Sequence, residues 1–397
     1  MHEPRTEGPA VNEMDIALLI CPSPAVDASV EFQTGWAQLL RCTGTAARHA
    51  DLAGGVAAEA QHLRQAVAGL ADSAPVLLAP HGQFVLDALA LARLWQALQG
   101  PAGWSAVLAH DQHFACTPGP DYCTVRGLQR YLRRLASEAD ESTAALQYSA
   151  QHAPLLTLST AGAIRRGTLW QHAAWIRGAH VHDYADYHRA SREEVIPLVP
   201  AQARRVLDVG GGDGAFLHRL RAARGDGEPL QTHLAELSPA ACGAARDRVD
   251  RVWSGDFGTL AIDGRFDCIT FLEALEHTED PLRWLRRARD LLSPGGTVIA
   301  SVPNVGHWSV IADLIEGHWD YAPVGVHCVT HLRFFTEHGL RGLFAQAGYQ
   351  VQQVVRTEVA CPPGWKLAWS DRQRAALGLE PDPASWDTYG FIVRASA

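Results

Sequence analysis

The segment Val206 to Phe216 (VLDVGGGDGAF) carries the most specific chemical information in the chain. An apolar run holding Asp208 leads into Gly210, Gly212 and Gly214, and helical patterning follows. Glycines at such a point permit a tight turn, positive φ and close approach of backbone to a ligand. A dinucleotide loop would read G-x-G-x-x-G, whereas this one reads D-x-G-x-G-x-G. A pyrophosphate seeks a helix N-terminus without competing anions, yet Asp208 and Asp213 flank this loop. The expected ligand therefore presents a cationic or neutral group, such as the amine of an amino acid. Glu236 follows Gly214 by 22 positions, close to the offset at which a carboxylate grips ribose hydroxyls. Asp256 comes another 20 positions on and suits an exocyclic adenine amine, with Phe257 packing on the ring face. Together these residues describe an adenosine site with an amino acid tail.

Further along, Glu273-Ala-Leu-Glu276-His277-Thr-Glu-Asp280-Pro281 spells E-x-x-E-H-x-x-D-P, and Leu292-Ser-Pro294-Gly295-Gly296 forms a turn before another strand. With the glycine loop and its two acidic partners in order, the region of roughly residues 180 to 397 resembles class I S-adenosylmethionine-dependent methyltransferases. The resemblance implies a Rossmann-like α/β domain, with a mostly parallel sheet and a terminal antiparallel hairpin, and S-adenosylmethionine as cofactor. It places Asp208, Gly210 and Gly212 at the methionine part, Glu236 at the ribose, and Asp256 with Phe257 at the adenine. It also places Leu272 and Glu273 among the cofactor contacts and has Tyr187 and Arg192 close over the cofactor. Asp280 and Pro281 read more simply as an N-cap followed by proline at the first helical position.

Methyl transfer is an in-line displacement, accelerated by orienting the nucleophile and, for a hydroxyl, by removing its proton. No metal is obligatory for this. His277 is the candidate base, because a histidine near its ordinary pKa of about 6.5 titrates in the right range; a helix-start histidine making a local hydrogen bond fits the same position. A second polar cluster contains Pro303-Asn304-Val-Gly-His307-Trp308, His327 and Thr330-His331-Leu-Arg333-Phe334-Phe335-Thr336. These strings resemble methyltransferases of bacterial sugar, cell-surface polysaccharide and natural-product pathways, which adds His307 and His331 to the catalytic candidates. The aromatics Trp308, Trp319 and Tyr321 between them either cover the acceptor or pack a hydrophobic subdomain. The ligand spacing of these histidines does not indicate a metal site.

The elements that must hold these residues read as strands alternating with helices. Arg205–Val209, His233–Leu237, Cys268–Leu272, Thr297–Val302, Gly348–Val355 and Thr388–Val393 are strand-like, and Pro281–Leu292 is helical. The last two strands are expected to pair antiparallel. Residues 1 to 178 form a smaller α/β domain with strands at Ile16–Cys21, Pro75–Pro80 and Ser105–Ala109 and helices at Phe32–Leu40, Val56–Leu70 and Val85–Leu98. The methyltransferase-like domain then takes residues 179 to 397. The first domain faintly resembles a GT-A glycosyltransferase core without the acidic D-x-D; His110-Asp111-Gln112-His113 is the nearest substitute for its metal site. A degenerate domain that positions the acceptor or forms a homodimer interface is the expectation, with a bifunctional glycosyltransferase–methyltransferase as the alternative. A non-catalytic S-adenosylmethionine-binding partner protein is the other.

Composition sets the outer limits. With 397 residues, 47% hydrophobic and 19% charged, the chain has the make-up of a folded two-domain protein. Forty-three acidic against 34 basic residues give a formal charge of −9, which argues against nucleic acid as a partner. The eight cysteines are scattered without a C-x-x-C pair, as buried thiols of a reducing compartment would be. The start of the chain is polar and no apolar run approaches the ~20 residues that span a bilayer. The expectation is a cytoplasmic enzyme acting on a small-molecule acceptor, a sugar or secondary metabolite.

Overall fold

The computed structural model describes residues 17–20, 48–49, 63–79, 84–86, 88–98, 106–113, 124, 126–127, 157–168, 173–183, 191–225, 229–322, 325–358, 376, 378 and 382–397. The chain divides into two compact units, Met1–Ala185 with Tyr321–Val324, and Asp186–Asp320 with Gly325–Ala397. The division falls after Ala185 and not after residue 178, because Ala173–Asp183 is a single strand of the first unit's sheet.

The first unit holds β1 (Ala17–Ile20), β2 (Arg48–His49), β3 (Pro75–Ala79), β4 (Phe84–Leu86), α1 (Ala88–Leu98), β5 (Ala106–His113), β6 (Thr157–Thr160), α2 (Ala161–Arg166) and β7 (Ala173–Asp183). Its seven strands are ordered β2-β1-β3-β6-β5-β7-β4. The pairs β1–β2, β1–β3 and β5–β7 are parallel, and β6 and β4 are antiparallel to their neighbours. Phe84–Leu86 pairs with Val181–Asp183, so the helix expected from Val85 begins only at Ala88. The Thr160 hydroxyl caps α2 by accepting from the Ala163 amide, and Ile164 of that helix packs with Val67 and Val76. The Phe32–Leu40 stretch and Tyr187 lie outside the described residues.

The second unit holds β8 (Arg205–Val209), α3 (Ala215–Arg224), β9 (Gln231–Glu236), α4 (Pro239–Ala245), β10 (Arg251–Ser254), β11 (Phe266–Leu272), α5 (Pro281–Leu291), β12 (Leu292–Pro303), α6 (Trp308–Ile315), α7 (Glu337–Gln346), β13 (Gln350–Glu358) and β14 (Thr388–Ser396). The order is β10-β9-β8-β11-β12-β14-β13, with the first five strands parallel and β14 antiparallel to both β12 and β13. Alternation along the strands feeds two cores, as a sheet covered on both faces requires. Val206, Leu234 and Cys268 face Phe216, Leu217 and Leu220 of α3. Leu207, Ile269 and Phe271 face Leu285 of α5 and Leu340 and Phe344 of α7. Phe266, Phe271, Phe344 and Phe391 are fully buried, each stabilising the unit by roughly 1.5–3 kcal/mol relative to exposure.

Strand order reverses between β8 and β11, and ligands of open α/β sheets bind at the carboxyl ends beside such a reversal. Among the described residues, no helix is long and apolar enough to cross a membrane.

Candidate active site

The glycine loop runs from the carboxyl end of β8 into α3. Gly212 and Gly214 both have positive φ, +57° and +77°, which an L-residue adopts only with strain. The Gly210 amide donates to the Ala235 carbonyl at 2.8 Å, so the loop is tied to the end of β9. There Glu236 receives the Gly212 amide on Oε2 at 2.9 Å and the Ser238 amide on Oε1 at 2.8 Å. Its carboxylate bridges the loop and the start of α4 while remaining partly exposed. Asp256 is exposed beyond β10, with Oδ1 accepting from the Gly258 amide at 3.0 Å.

Asp208 lies one layer below these groups. It is fully buried, Oδ1 accepts the Thr270 hydroxyl at 2.6 Å, and Oδ2 has no hydrogen-bond partner. Burial pushes its carboxyl up to about 7, against the lowering effect of the Thr270 bond; Glu236 adds to the rise and Arg192 opposes it. Gly211 passes directly over Oδ2, where any Cβ would collide with the carboxyl. Asp208 therefore sits beneath the loop and supports it.

Arg192 and Glu273 are the non-glycine residues of positive φ among those described, +48° and +53°. Such strain concentrates at functional sites, and both residues belong to the expected cofactor set. Glu273 follows the buried Leu272 at the end of β11, and its amide is shared between the Ser301 carbonyl (3.1 Å) and hydroxyl (3.0 Å). Arg192 lies near enough to Asp208 and Glu276 to act electrostatically on both carboxyls.

The E-x-x-E-H string forms a short 3-10 turn, Leu275–His277, followed by α5. Asp280 caps α5, accepting from the Arg283 amide at 2.9 Å, with Pro281 in its first turn. The Glu276 carbonyl accepts the amides of Leu332 (2.7 Å) and Arg333 (3.1 Å), docking the T-H-L-R string onto the turn. His277 and His331 consequently meet edge to face, with ring centroids 4.8 Å apart. His277 is exposed and its Nδ1 faces the Thr330 carbonyl at 3.2 Å. His331 is buried and its Nδ1 faces the Val326 carbonyl at 2.9 Å. A carbonyl only accepts, so each Nδ1 carries the proton and each Nε2 is the basic nitrogen. Burial first, then the adjacent His277, lowers His331 to about 4.

Glu276 is fully buried with neither oxygen hydrogen-bonded by ordinary geometric limits. Its burial, with Glu273 beside it, raises its carboxyl well above the usual range. Glu276, His277 and His331 each offer a ligand atom within 4.8 Å of the others, a set able to hold a metal ion. Sequence spacing concealed it, since 54 positions separate the two histidines.

Two expected site residues are buried. Phe257 is 2% exposed and meets Phe271 and Trp284 in T-shaped contacts within the core. The exposed apolar residue nearby is Leu237, 69% exposed directly after Glu236, which sequence reading passed over. His307 is fully buried, and its Nδ1 caps α6 by accepting from the Ser309 amide at 3.4 Å. Asn304, also buried, joins β12 to the chain end by donating to the Ser385 (2.9 Å) and Thr388 (2.8 Å) carbonyls. Trp308 packs with Trp386, whereas Trp319 meets His327 (4.1 Å between centroids) and the exposed Phe334 (5.1 Å).

A parallel sheet of this order, closed by an antiparallel strand and carrying a glycine loop answered by Glu236, defines a Rossmann-like class I methyltransferase domain. Residues 178–354 match the family model described as a methyltransferase domain. The ubiquinone biosynthesis O-methyltransferase of Cereibacter sphaeroides strain ATCC 17025 is 31% identical over 190 residues, 46% of this chain and 73% of that protein. That of Xanthomonas campestris pv. campestris strain B100 is 38% identical over 118 residues, 28% of this chain and 47% of that protein. Among solved structures, magnesium protoporphyrin IX methyltransferase of Synechocystis PCC 6803, with bound S-adenosylhomocysteine, covers 53% of this chain and 83% of its own (TM-score 0.36, 15% identity). The chain belongs to the S-adenosylmethionine-dependent methyltransferase family. It is an enzyme of that family, and S-adenosylmethionine is its methyl donor.

Proposed function

We propose that this chain O-methylates a hydroxyl of a ring-bearing small molecule, a sugar or secondary metabolite, with His277 as the general base. The observation that carries the reading is the hydrogen bond between His277 Nδ1 and the Thr330 carbonyl, which makes Nε2 of an exposed imidazole the basic atom. The relatives' name, O-methyltransferase, supports oxygen as the accepting atom. The exposed side chains of Leu332 (46%) and Phe334 (37%), directly after His331, suit the flat face of a ring.

The residues present fit the cofactor. Glu236 keeps acceptor capacity for ribose hydroxyls beside its two amide bonds, because a carboxylate accepts about four hydrogen bonds. Asp256 serves the adenine amine and Leu237 offers an apolar surface to its ring. Gly210 and Gly212, with Asp208 beneath the neighbouring Gly211, serve the methionine part, and Arg192, Leu272 and Glu273 are the further cofactor residues. When bound, the cofactor supplies a sulfonium methyl that needs only an oriented, deprotonated oxygen.

The test is incubation with S-adenosylmethionine bearing a deuterated methyl, with panels of sugars and phenols, read by mass and NMR. Label on oxygen, lost about 10²-fold in His277→Ala with cofactor affinity retained, is the expected result. Label on nitrogen or carbon, or undiminished turnover in the variant, contradicts it.

A second reading rests on the Glu276, His277 and His331 cluster. A divalent cation held there would polarise the acceptor oxygen and so relieve His277 of its role as base. Activity abolished by chelator and restored by added cation selects this reading; indifference to chelator selects the first.

A further inference from the structure

Residues 255–265 join β10 to β11 and carry Asp256, the proposed partner of the adenine amine. A binding residue on a loop is precise only when neighbouring groups lock that loop in place. Part of the hold is local. Asp256 Oδ1 accepts the Gly258 amide at 3.0 Å, and the Asp256 carbonyl accepts the Thr259 and Leu260 amides, both at 3.0 Å. These bonds fix the shape of the turn but not its place on the domain.

The place is set by α5. Asp280 and Pro281 start this helix, which puts Arg283 in its first turn. Arg283 donates from Nη2 to the Gly258 carbonyl at 3.1 Å, and Arg287 donates to the Leu260 carbonyl. Positions i and i+4 share one face of a helix, so the two arginines grip the same loop side by side. Trp284, next to Arg283, meets the buried Phe257 in a T-shaped contact with ring centroids 5.5 Å apart, and the Arg287 guanidinium lies 5.4 Å from the centre of the Phe257 ring.

Arg287 works against the core, whereas Arg283 is exposed, where a single hydrogen bond adds little to the fold. Its bond has a different consequence. Arg283 holds the carbonyl of Gly258 while Asp256 holds the amide of the same residue, so Gly258 links α5 to the carboxylate. The link has no slack: a Cβ on Gly258 would stand 3.0 Å from Asp256 Oδ2 and 3.3 Å from Trp284 Nε1. We propose that Arg283 is a positioning residue for adenine recognition. Through Gly258 it keeps the Asp256 carboxylate in place to accept from the 6-amino group, and so makes the site selective for aminopurine cofactors. The proposal rests on the reading of Asp256 as the partner of that amine.

The experiment is calorimetric titration of the full chain with S-adenosylhomocysteine and with its purine analogue lacking the 6-amino group. Wild type should bind the adenosyl ligand about tenfold or more tightly than the analogue, the worth of a hydrogen bond to a charged group. Arg283→Ala should weaken the adenosyl ligand by about tenfold and the analogue by less than about twofold, the non-additivity that marks coupled groups. Arg283→Lys, which keeps a cation within reach of the Gly258 carbonyl, should recover most of the preference. Asp280→Ala removes the cap of the same helix and should keep the preference whole, which separates positioning from a weakened α5. Asp256→Ala should abolish it. A preference that survives Asp256→Ala shows that the reading of Asp256 itself has failed. With that reading intact, the role of Arg283 is overturned if Arg283→Ala keeps the preference, if it weakens both ligands equally, or if Asp280→Ala erases the preference as fully.

Discussion

Glu236→Gln is nearly isosteric, yet the geometry predicts that it damages the cofactor site severely. In the native protein both carboxylate oxygens accept backbone amides, Oε2 from Gly212 at 2.9 Å and Oε1 from Ser238 at 2.8 Å. Glutamine has one acceptor oxygen and one amine, so whichever way the amide is turned, a donor faces a donor. One charge-assisted bond of roughly 1.5–3 kcal/mol is lost, and the other falls to neutral strength. At 1.4 kcal/mol per tenfold, this is a loss of about 10- to 150-fold in affinity for S-adenosylmethionine, before any weakening of the ribose contact. Calorimetric titration measures it, with the unfolding midpoint showing how much of the effect falls on the fold. Glu236→Asp, one methylene shorter, should not rescue binding, because it cannot span the same two amides. Affinity within twofold of wild type in the glutamine variant would refute the reasoning.

The remaining expectations are more local. His331, near 4 when folded against about 6.5 when unfolded, disfavours acid: its neutral form is fully supported above pH 6.5, and stability falls as pH drops towards 4. The full effect is on the order of 3 kcal/mol, and acid unfolding of His331→Gln should show a correspondingly flatter slope over that window; an unchanged slope contradicts the assignment. Asp280→Ala removes the cap of α5 and should lower stability by about 1 kcal/mol in denaturant titration while leaving cofactor affinity intact. Gly211→Ala sets a methyl against the Asp208 carboxyl and should impair cofactor binding, whereas Gly243→Ala, in open space on α4, should not; equal affinities in the two would refute the support role given to Asp208.

The parts of this molecule that were legible in the sequence are those whose chemistry is local. The glycine loop, Glu236 and the apolar runs of β8, β11 and β12 declare themselves, because turn geometry and alternation act over a few residues. The strand β10 escaped notice: only Trp253 of its four residues is buried, so it has no periodicity to read. The burial of Phe257 and His307 is not legible in the sequence for a shared reason. An aromatic beside an acid and a histidine after a strand look alike in sequence whether they face a ligand, a core or a helix end, and packing alone decides. The converse holds for Leu237, whose exposure is its only distinguishing property. The meeting of His277 with His331 depends on two amides donating to the Glu276 carbonyl, a tertiary contact that no spacing rule encodes.

The most direct test of the central claim is calorimetric titration of the purified full chain with S-adenosylmethionine, S-adenosylhomocysteine and NAD, repeated on Asp256→Ala and Leu237→Asp. The account predicts one-to-one binding of both adenosyl ligands, none of NAD, and at least tenfold weaker binding in each variant. Binding of NAD in preference to the adenosyl pair, or variants indistinguishable from wild type, would contradict it.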